Sequence, residues 1–294
     1  MPLFTDTFPE VHSDEELERL LALHPSYDPY YVASGAIGER RERFEALFAV
    51  YAPYADTHYL SEVKHQFHQR TWEMFLGALL VAQGMHFESK DSGPDIKLDG
   101  PLWIEAVACA RGDGVDRVPD LRYGGVQTVP HDEMLIRMAN GLAVKYQGYQ
   151  KYLSAGMIGP SDPYVIALNA GGFGHIVDPQ IPLVLKGLFG IGYEQISIPS
   201  GAVSWSRRES IEKKSGSQVP MTFFEQAEHA GVSCVLYCRN NVLNAAEPMG
   251  ADIILVHNPL ATNPINLERF PFLTQYRVEG GALRRHESQL AIRS

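Results

Sequence analysis

The 294-residue chain predicts an α/β fold around a mixed sheet. Two long helical patterns, at 61–84 and 131–156, are separated by short apolar strand patterns. A hairpin pattern occupies 93–110, and a buried strand pattern comes after the second helix at 162–170. The order helix, strand, hairpin, helix, strand is that of helices packed on a sheet.

The elements are taken in order. HSDEELERLLAL (12–23) reads as a short helix, capped by Ser13 with Glu16 completing a capping box. HPSYDPYYVASGAIG (24–38), rich in Pro, Tyr and Gly, reads as a connection, and a second helix covers 39–51. Residues 1–60 therefore form a helical extension packed on the core that begins at residue 61. The stretch 61–84 is one long helix closed by Gly84. MHFES (85–89) is a strand, and GPDIKLDGPLWIEAVACA is a hairpin turning at Asp99-Gly100-Pro101. A Gly/Pro-rich loop (111–130) leads to the helix at 131–156 and the strand DPYVIALNA. Beyond it, 179–192 suggests a helix, with the stretch 194–199 after it. A helix at 222–230 separates strands at 231–238 and 251–258. Residues 61–170 are the core, and 171–294 are read as an α/β extension of the same sheet.

Composition bounds the function. With 45% hydrophobic and 20% charged residues the chain is ordinary for a globular protein. No apolar run reaches the roughly 18 residues of a membrane helix. The acidic N-terminus lacks a signal-peptide layout. Three cysteines at no zinc spacing argue against a disulfide scaffold, so the cytoplasm is the default compartment. Of the net charge of −10, residues 1–62 carry −8 (twelve acids, four bases), leaving −2 for the rest. The remainder can hold a local basic groove, which permits nucleic acid as a partner without arguing for it.

Register decides what the hairpin acids do. A two-residue turn would send Asp95 and Glu105 to opposite faces. A three-residue turn pairs Leu98 with Leu102 and brings Asp95 opposite Glu105. It is favoured because Pro101 lacks an N–H and suits a loop position. Like charges so placed repel. Either they are an edge acid and a turn cap, or a divalent cation offsets the repulsion. On the preceding helix, Trp72, Phe75, Leu76, Leu79 and Leu80 form an apolar face that contains Glu73, with Gly77 leaving space above it. A carboxylate there needs an arginine partner, a metal, or a place at the edge of the stripe.

These pieces together resemble the PD-(D/E)xK nuclease superfamily, the restriction-endonuclease-like fold. The resemblance lies in Glu73 within TWE of a leading helix, Pro94-Asp95 entering a strand, and Glu105 within IEAV of the next. The flanking helix carries Arg137, Lys145, Gln147 and Gln150. The resemblance covers roughly 61–170. It implies Mg²⁺-dependent (or Mn²⁺-dependent) phosphodiester hydrolysis, most readily of DNA, by an endonuclease. Asp95, Glu105 and the Ala106 carbonyl would be direct ligands, and Glu73 would bind the metal or its water. Val107 stands where the family usually has a lysine. The resemblance therefore implies either a non-cleaving binder of nucleic acid or of a protein partner, or a replacement lysine. Lys145 and Lys97 are the replacements, unless Lys97 lies over Trp103 as a cation–π pair and Lys145 is a solvated helix lysine. Two-strand cutting usually needs two sites, so a homodimer is compatible with the reading.

Other features point less sharply. His65 and His68 share one helical face without a zinc-ligand partner cluster. AGGFGHIV (170–177) lacks the full GxGxxG pattern and reads as a loop, and His257 reads as a turn histidine. SWSRRESIEKKSG (204–216) gathers Arg207, Arg208, Lys213 and Lys214, the best candidates for phosphate-backbone contacts, or else a solvated loop.

Overall fold

Side-chain alternation along the central strands divides the molecule into two cores. The computed structural model describes residues 1–89, 92–120, 128–174 and 181–289. Helices α1 (Asp14–Leu23), α2 (Pro29–Ala36), α3 (Gly38–Tyr51), α4 (Tyr59–Glu62) and α5 (Phe67–Ala82) come first. Strands β1 (Phe87–Ser89), β2 (Ile96–Leu98) and β3 (Leu102–Ala108) come next, and α6 (His131–Ser154) connects β3 to β4 (Tyr164–Asn169). Then come α7 (Leu183–Phe189), β5 (Ile191–Ile196), β6 (Val203–Arg207), β7 (Ser210–Glu212) and β8 (Gln218–Pro220). The last strands are β9 (Cys234–Cys238), β10 (Ile253–His257), β11 (Thr274–Glu279) and β12 (Ala282–His286).

Eight strands form one mixed sheet in the order β1-β2-β3-β4-β9-β10-β11-β12. β4 lies parallel to β3 and to β9, and β11 parallel to β10; the other neighbours are antiparallel. Ile104, Ala106, Val165, Ala167, Leu236 and Leu255 face the N-terminal helices and α5. Trp103, Ile166, Leu168, Val235, Tyr237 and Val256 face α6 and α7. The period of two along each strand thus fills two layers at once, as a sheet covered on both faces requires. Six consecutive residues of β4 are buried, so it is the spine of both layers.

Local chemistry explains the element ends. Ser13 accepts the Glu16 N–H at 3.2 Å, the forward bond of a capping box, and Glu16 reaches back to accept the His12 N–H, one residue before the cap, at 2.8 Å. α5 ends in paired bonds from Gly84 N–H to the Val81 carbonyl and from Met85 N–H to the Leu80 carbonyl, the Schellman arrangement. The hairpin takes the three-residue turn. Leu98 pairs with Leu102, and Gly100 sits at φ +75°, where a side chain would be strained.

Several expectations are corrected. The segment 24–38 is not only a connection: Asp28 caps α2 and Pro29 occupies its first position, a start signal hidden by the surrounding tyrosines. The helix expected over 61–84 is broken, with α4 ending at Glu62 and α5 starting at Phe67. Residues 222–230 form two 3-10 turns rather than an α-helix. β9 to β12 do extend the main sheet, but β5–β6 and β7–β8 are separate two-stranded ribbons. The hairpin β11–β12 is an addition to the expected elements, although Gly280-Gly281 is a two-residue turn signal. Parts of the loop at 111–130, the glycine-rich 170–177 and the helix at 179–192 lie outside the described residues. Among the described residues no helix is long and apolar enough to cross a membrane.

Gly77 does not leave open space. A Cβ there would lie 2.5 Å from the Tyr51 ring and 3.1 Å from Phe87, so α3 and β1 close over the helix at that point. Tyr51 is itself buried. Gly77→Ala is expected to lower stability by about 1–3 kcal/mol despite the better helix propensity of alanine, because a packed ring must move. Urea unfolding tracked by circular dichroism measures this; an unchanged midpoint would refute the tight packing.

Candidate active site

The site forms where β3 outruns its neighbour. The last β2–β3 pair is Ile96 with Ile104, so the edge groups of Ala106 and Ala108 have no strand beside them. Buried backbone groups need partners, and two side chains supply them. Asp95 Oδ2 accepts the Ala106 N–H at 2.7 Å. Gln69, from the first turns of α5, donates through Nε2 to the Ala106 carbonyl at 3.1 Å and accepts the Ala108 N–H through Oε1 at 2.8 Å. Its amide stands in for a missing piece of strand. The same Nε2 donates to Glu73 Oε1 at 2.8 Å, so the helix, the strand edge and the carboxylate are held together by one side chain.

Three acids and two cations meet here. Glu73 is buried on α5 and accepts Arg70 Nη1 at 2.7 Å; Arg70 also bonds Asp56 at 3.0 Å and pairs with Glu62. Glu105 is buried on the α6 side of β3 and receives Lys145 Nζ at 2.7 Å. Its other oxygen, Oε2, is buried without a hydrogen-bond partner. Continuing the hairpin register by one residue puts Asp95 opposite Glu105. Burial first, and the Asp95 charge second, push Glu73 up to about 7 against the pull of Arg70. Burial and then Asp95 likewise push Glu105 up to about 7 despite Lys145. Asp95 is raised by burial, which Lys145 and the Ala106 N–H oppose. Burial disfavours the Lys145 ammonium, but Glu105 and then Asp95 outweigh it, and its pKa is raised. The arrangement holds a cation firmly and its carboxylates loosely, the pattern of perturbed groups found at functional sites.

The structure thus brings Glu73, Asp95, Glu105, Ala106 and Lys145 together, with Glu73, Asp95 and Lys145 lining a cavity of about 570 Å³. It does not bring Lys97. That side chain lies 5.4 Å over the Trp103 ring and 3.8 Å from Glu88, on the far part of the hairpin. Val107 shares its face with Glu105 and packs against α6 at Gly141, where a Cβ would stand 3.6 Å from it. Nor does the basic segment form a free patch. Arg207 pairs with Glu225, Arg208 makes a two-pronged pair with Asp132 at 2.6 and 2.7 Å, and Lys214 reaches Glu133 at 3.4 Å. Lys213 remains on the same exposed turn, between β7 and β8. His65 bonds the Ser26 carbonyl at 2.9 Å while His68 faces a cleft, so the two do not form a ligand pair. His257 is buried, 3.4 Å from Cys234 Sγ and 2.8 Å from Gln275, not in a turn.

Gln69, Arg70 and Asp56 are site residues that sequence reasoning missed. Gln69 and Arg70 precede Glu73 by four and three residues, the spacing at which helix side chains meet, and that signal was available. Among the described residues no group of three His, Cys, Asp or Glu side chains is gathered closely enough to share a metal ion. Comparisons with protein-family models, curated proteins and solved structures gave no match.

An acid whose pKa is raised on folding stabilises the fold most while protonated. The contribution of Glu73 is therefore full below its ordinary 4.5 and lost as pH rises through about 7. Glu105 acts in the same direction. In EDTA, melting temperature should fall between pH 5 and 8, and Glu73→Gln should flatten that fall, by at most about 1.4 kcal/mol per pH unit for one proton. Parallel pH profiles for wild type and variant would contradict the buried, strained carboxyl.

Proposed function

We propose that the chain is a Mg²⁺-dependent nuclease with a restriction-endonuclease-like core, cutting phosphodiester bonds, most readily in DNA. The observation that carries the reading is Lys145 Nζ, 2.7 Å from Glu105 and beside Asp95. A lysine delivered from α6 supplies the charge that Val107 cannot. The hairpin, continued by a parallel crossover through a helix, agrees with that core.

The donor set suits Mg²⁺ in kind. Carboxylates and a backbone carbonyl are all oxygen donors, and Glu105 Oε2 is a buried acceptor with nothing to accept. Mg²⁺ needs only one or two carboxylates beside water and substrate oxygens, so a ready three-acid cage is not required. Asp95 and Glu105 would hold the ion, with the Ala106 carbonyl and Glu73 near it. When bound, it would polarise the phosphate and lower the pKa of a water. Lys145 stabilises charge developing on the phosphoryl oxygens. Gln69 fixes the spacing of Glu73 from the strand edge, and Arg70 keeps Glu73 aimed inward.

A second reading is a nuclease-like protein that binds nucleic acid or a protein partner without cutting. It is favoured by the absence of a gathered metal cluster among the described residues and by the ion pairs that already occupy Glu73 and Glu105.

Plasmid and single-stranded DNA incubated with Mg²⁺ or Mn²⁺ separate the two. Asp95→Asn and Lys145→Met should each reduce the cleavage rate by about 10²–10³, the loss usual for a single charge-stabilising group. Cleavage at wild-type rate in both variants would end the site assignment. A readout independent of activity accompanies it: Mg²⁺ should raise the melting temperature more at pH 8 than at pH 5, and Asp95→Asn should abolish the increment.

A further inference from the structure

A second cavity, about 750 Å³, adjoins the carboxylate site and shares Asp28, His68 and Ala110 with it as walls. It is lined by α2 and α3 on one side, the start of α5 and the loop after β3 on another, and the turn at 241–243 on a third. Its size is that of a small-molecule site, enough for one or two nucleotides. Tyr30, 57% exposed, stands at its edge, and the buried core rings Phe44 and Phe67 lie behind its floor. Arg111 and Arg117 also line it, both held by Asp120. At the junction of the two cavities the His68 Nε2 is buried with no hydrogen-bond partner. Gly172 packs against the ring: a Cβ there would stand 3.2 Å from the imidazole and closer still to the Cys109 carbonyl.

We infer that this cleft takes one or two nucleotides of a single strand, next to the phosphate held at the carboxylate site. The substrate is thus unpaired where it is cut. The inference rests on the nuclease reading and narrows it. An exposed aromatic face at the rim of a cleft binds a single strand by stacking and is indifferent to sequence. The alternative, a duplex, needs a basic track along many phosphates. The basic segment at 204–216 does not supply one: Arg207, Arg208 and Lys214 are engaged by Glu225, Asp132 and Glu133. A stacked base reaching past Tyr30 would present its polar edge to His68.

The test measures binding and cleavage separately, on the intact chain. A fluorescent 12-nucleotide oligodeoxynucleotide and its blunt duplex are titrated in EDTA, and then cut in Mg²⁺. Single strand should bind at least tenfold tighter than duplex. Tyr30→Ala and Leu243→Glu, both with melting temperatures checked, should each weaken single-strand binding about tenfold and raise KM with kcat within twofold. Equal affinity for duplex, or unchanged binding in both folded variants, would overturn the cleft assignment. Cleavage with unaltered KM in the variants would also overturn it while leaving the nuclease reading in place. Single-strand binding lost in the variants, with no cleavage by wild type, would retain the cleft and remove the nuclease reading.

Discussion

An unpaired edge governs this structure. β3 continues for four residues past its last pairing with β2, and the exposed N–H and C=O groups there cannot be left dry. A longer β2 would satisfy them and fill the space beside that edge. Asp95 and Gln69 satisfy them with side chains instead, at a net gain of about 1 kcal/mol per hydrogen bond, and keep the space above open. The glutamine is specific. A glutamate in its place could accept from Ala108 but could not donate to the Ala106 carbonyl, and it would add a further negative charge beside Glu73.

The charges balance only as a group. Three acids lie within mutual influence in a poorly solvated place, and Arg70 and Lys145 come from different helices to meet them. Arg70 is shared by Glu73, Asp56 and Glu62, and Lys145 bonds Glu105 with Asp95 near it, so removal of either cation leaves buried carboxylates unmatched, a change that typically costs about 3–5 kcal/mol. Such a cluster is an unfavourable way to build stability and a good way to hold a site ready for a ligand that brings its own charge.

The core elements were legible because their signals were local or periodic. The capping box at Ser13, the turn at Gly100 with its register, and the apolar face of α5 all come from spacing alone. The juxtaposition of Glu73, Asp95, Glu105 and Lys145 was legible only through element order. The features that stayed hidden depended on partners distant in sequence. Lys97 follows Asp95 at the right spacing, yet Trp103 and Glu88 draw the lysine away. Arg207 and Arg208 look like a free basic run until Glu225 and Asp132, from other elements, are placed against them. The 3-10 turns at 223–231 keep helical composition but lie where Phe223, Phe224 and His229 pack against neighbouring elements, so tertiary contacts override propensity.

Asp28 joins two parts of the chain that the sequence keeps apart. One carboxylate oxygen accepts the N–H of Tyr30, at the start of α2, at 2.8 Å; the other accepts that of Phe67, at the start of α5, at 3.1 Å. Two helix origins therefore share a single counter-charge. The N-terminal helices are in this sense not a detachable appendage: their docking and the seating of the helix that carries Gln69, Arg70 and Glu73 are thermodynamically linked, and linkage runs in both directions. A molecule that orders the cleft tightens the N-terminal segment, and a truncation that frees that segment loosens the first turn on which the carboxylate site is hung.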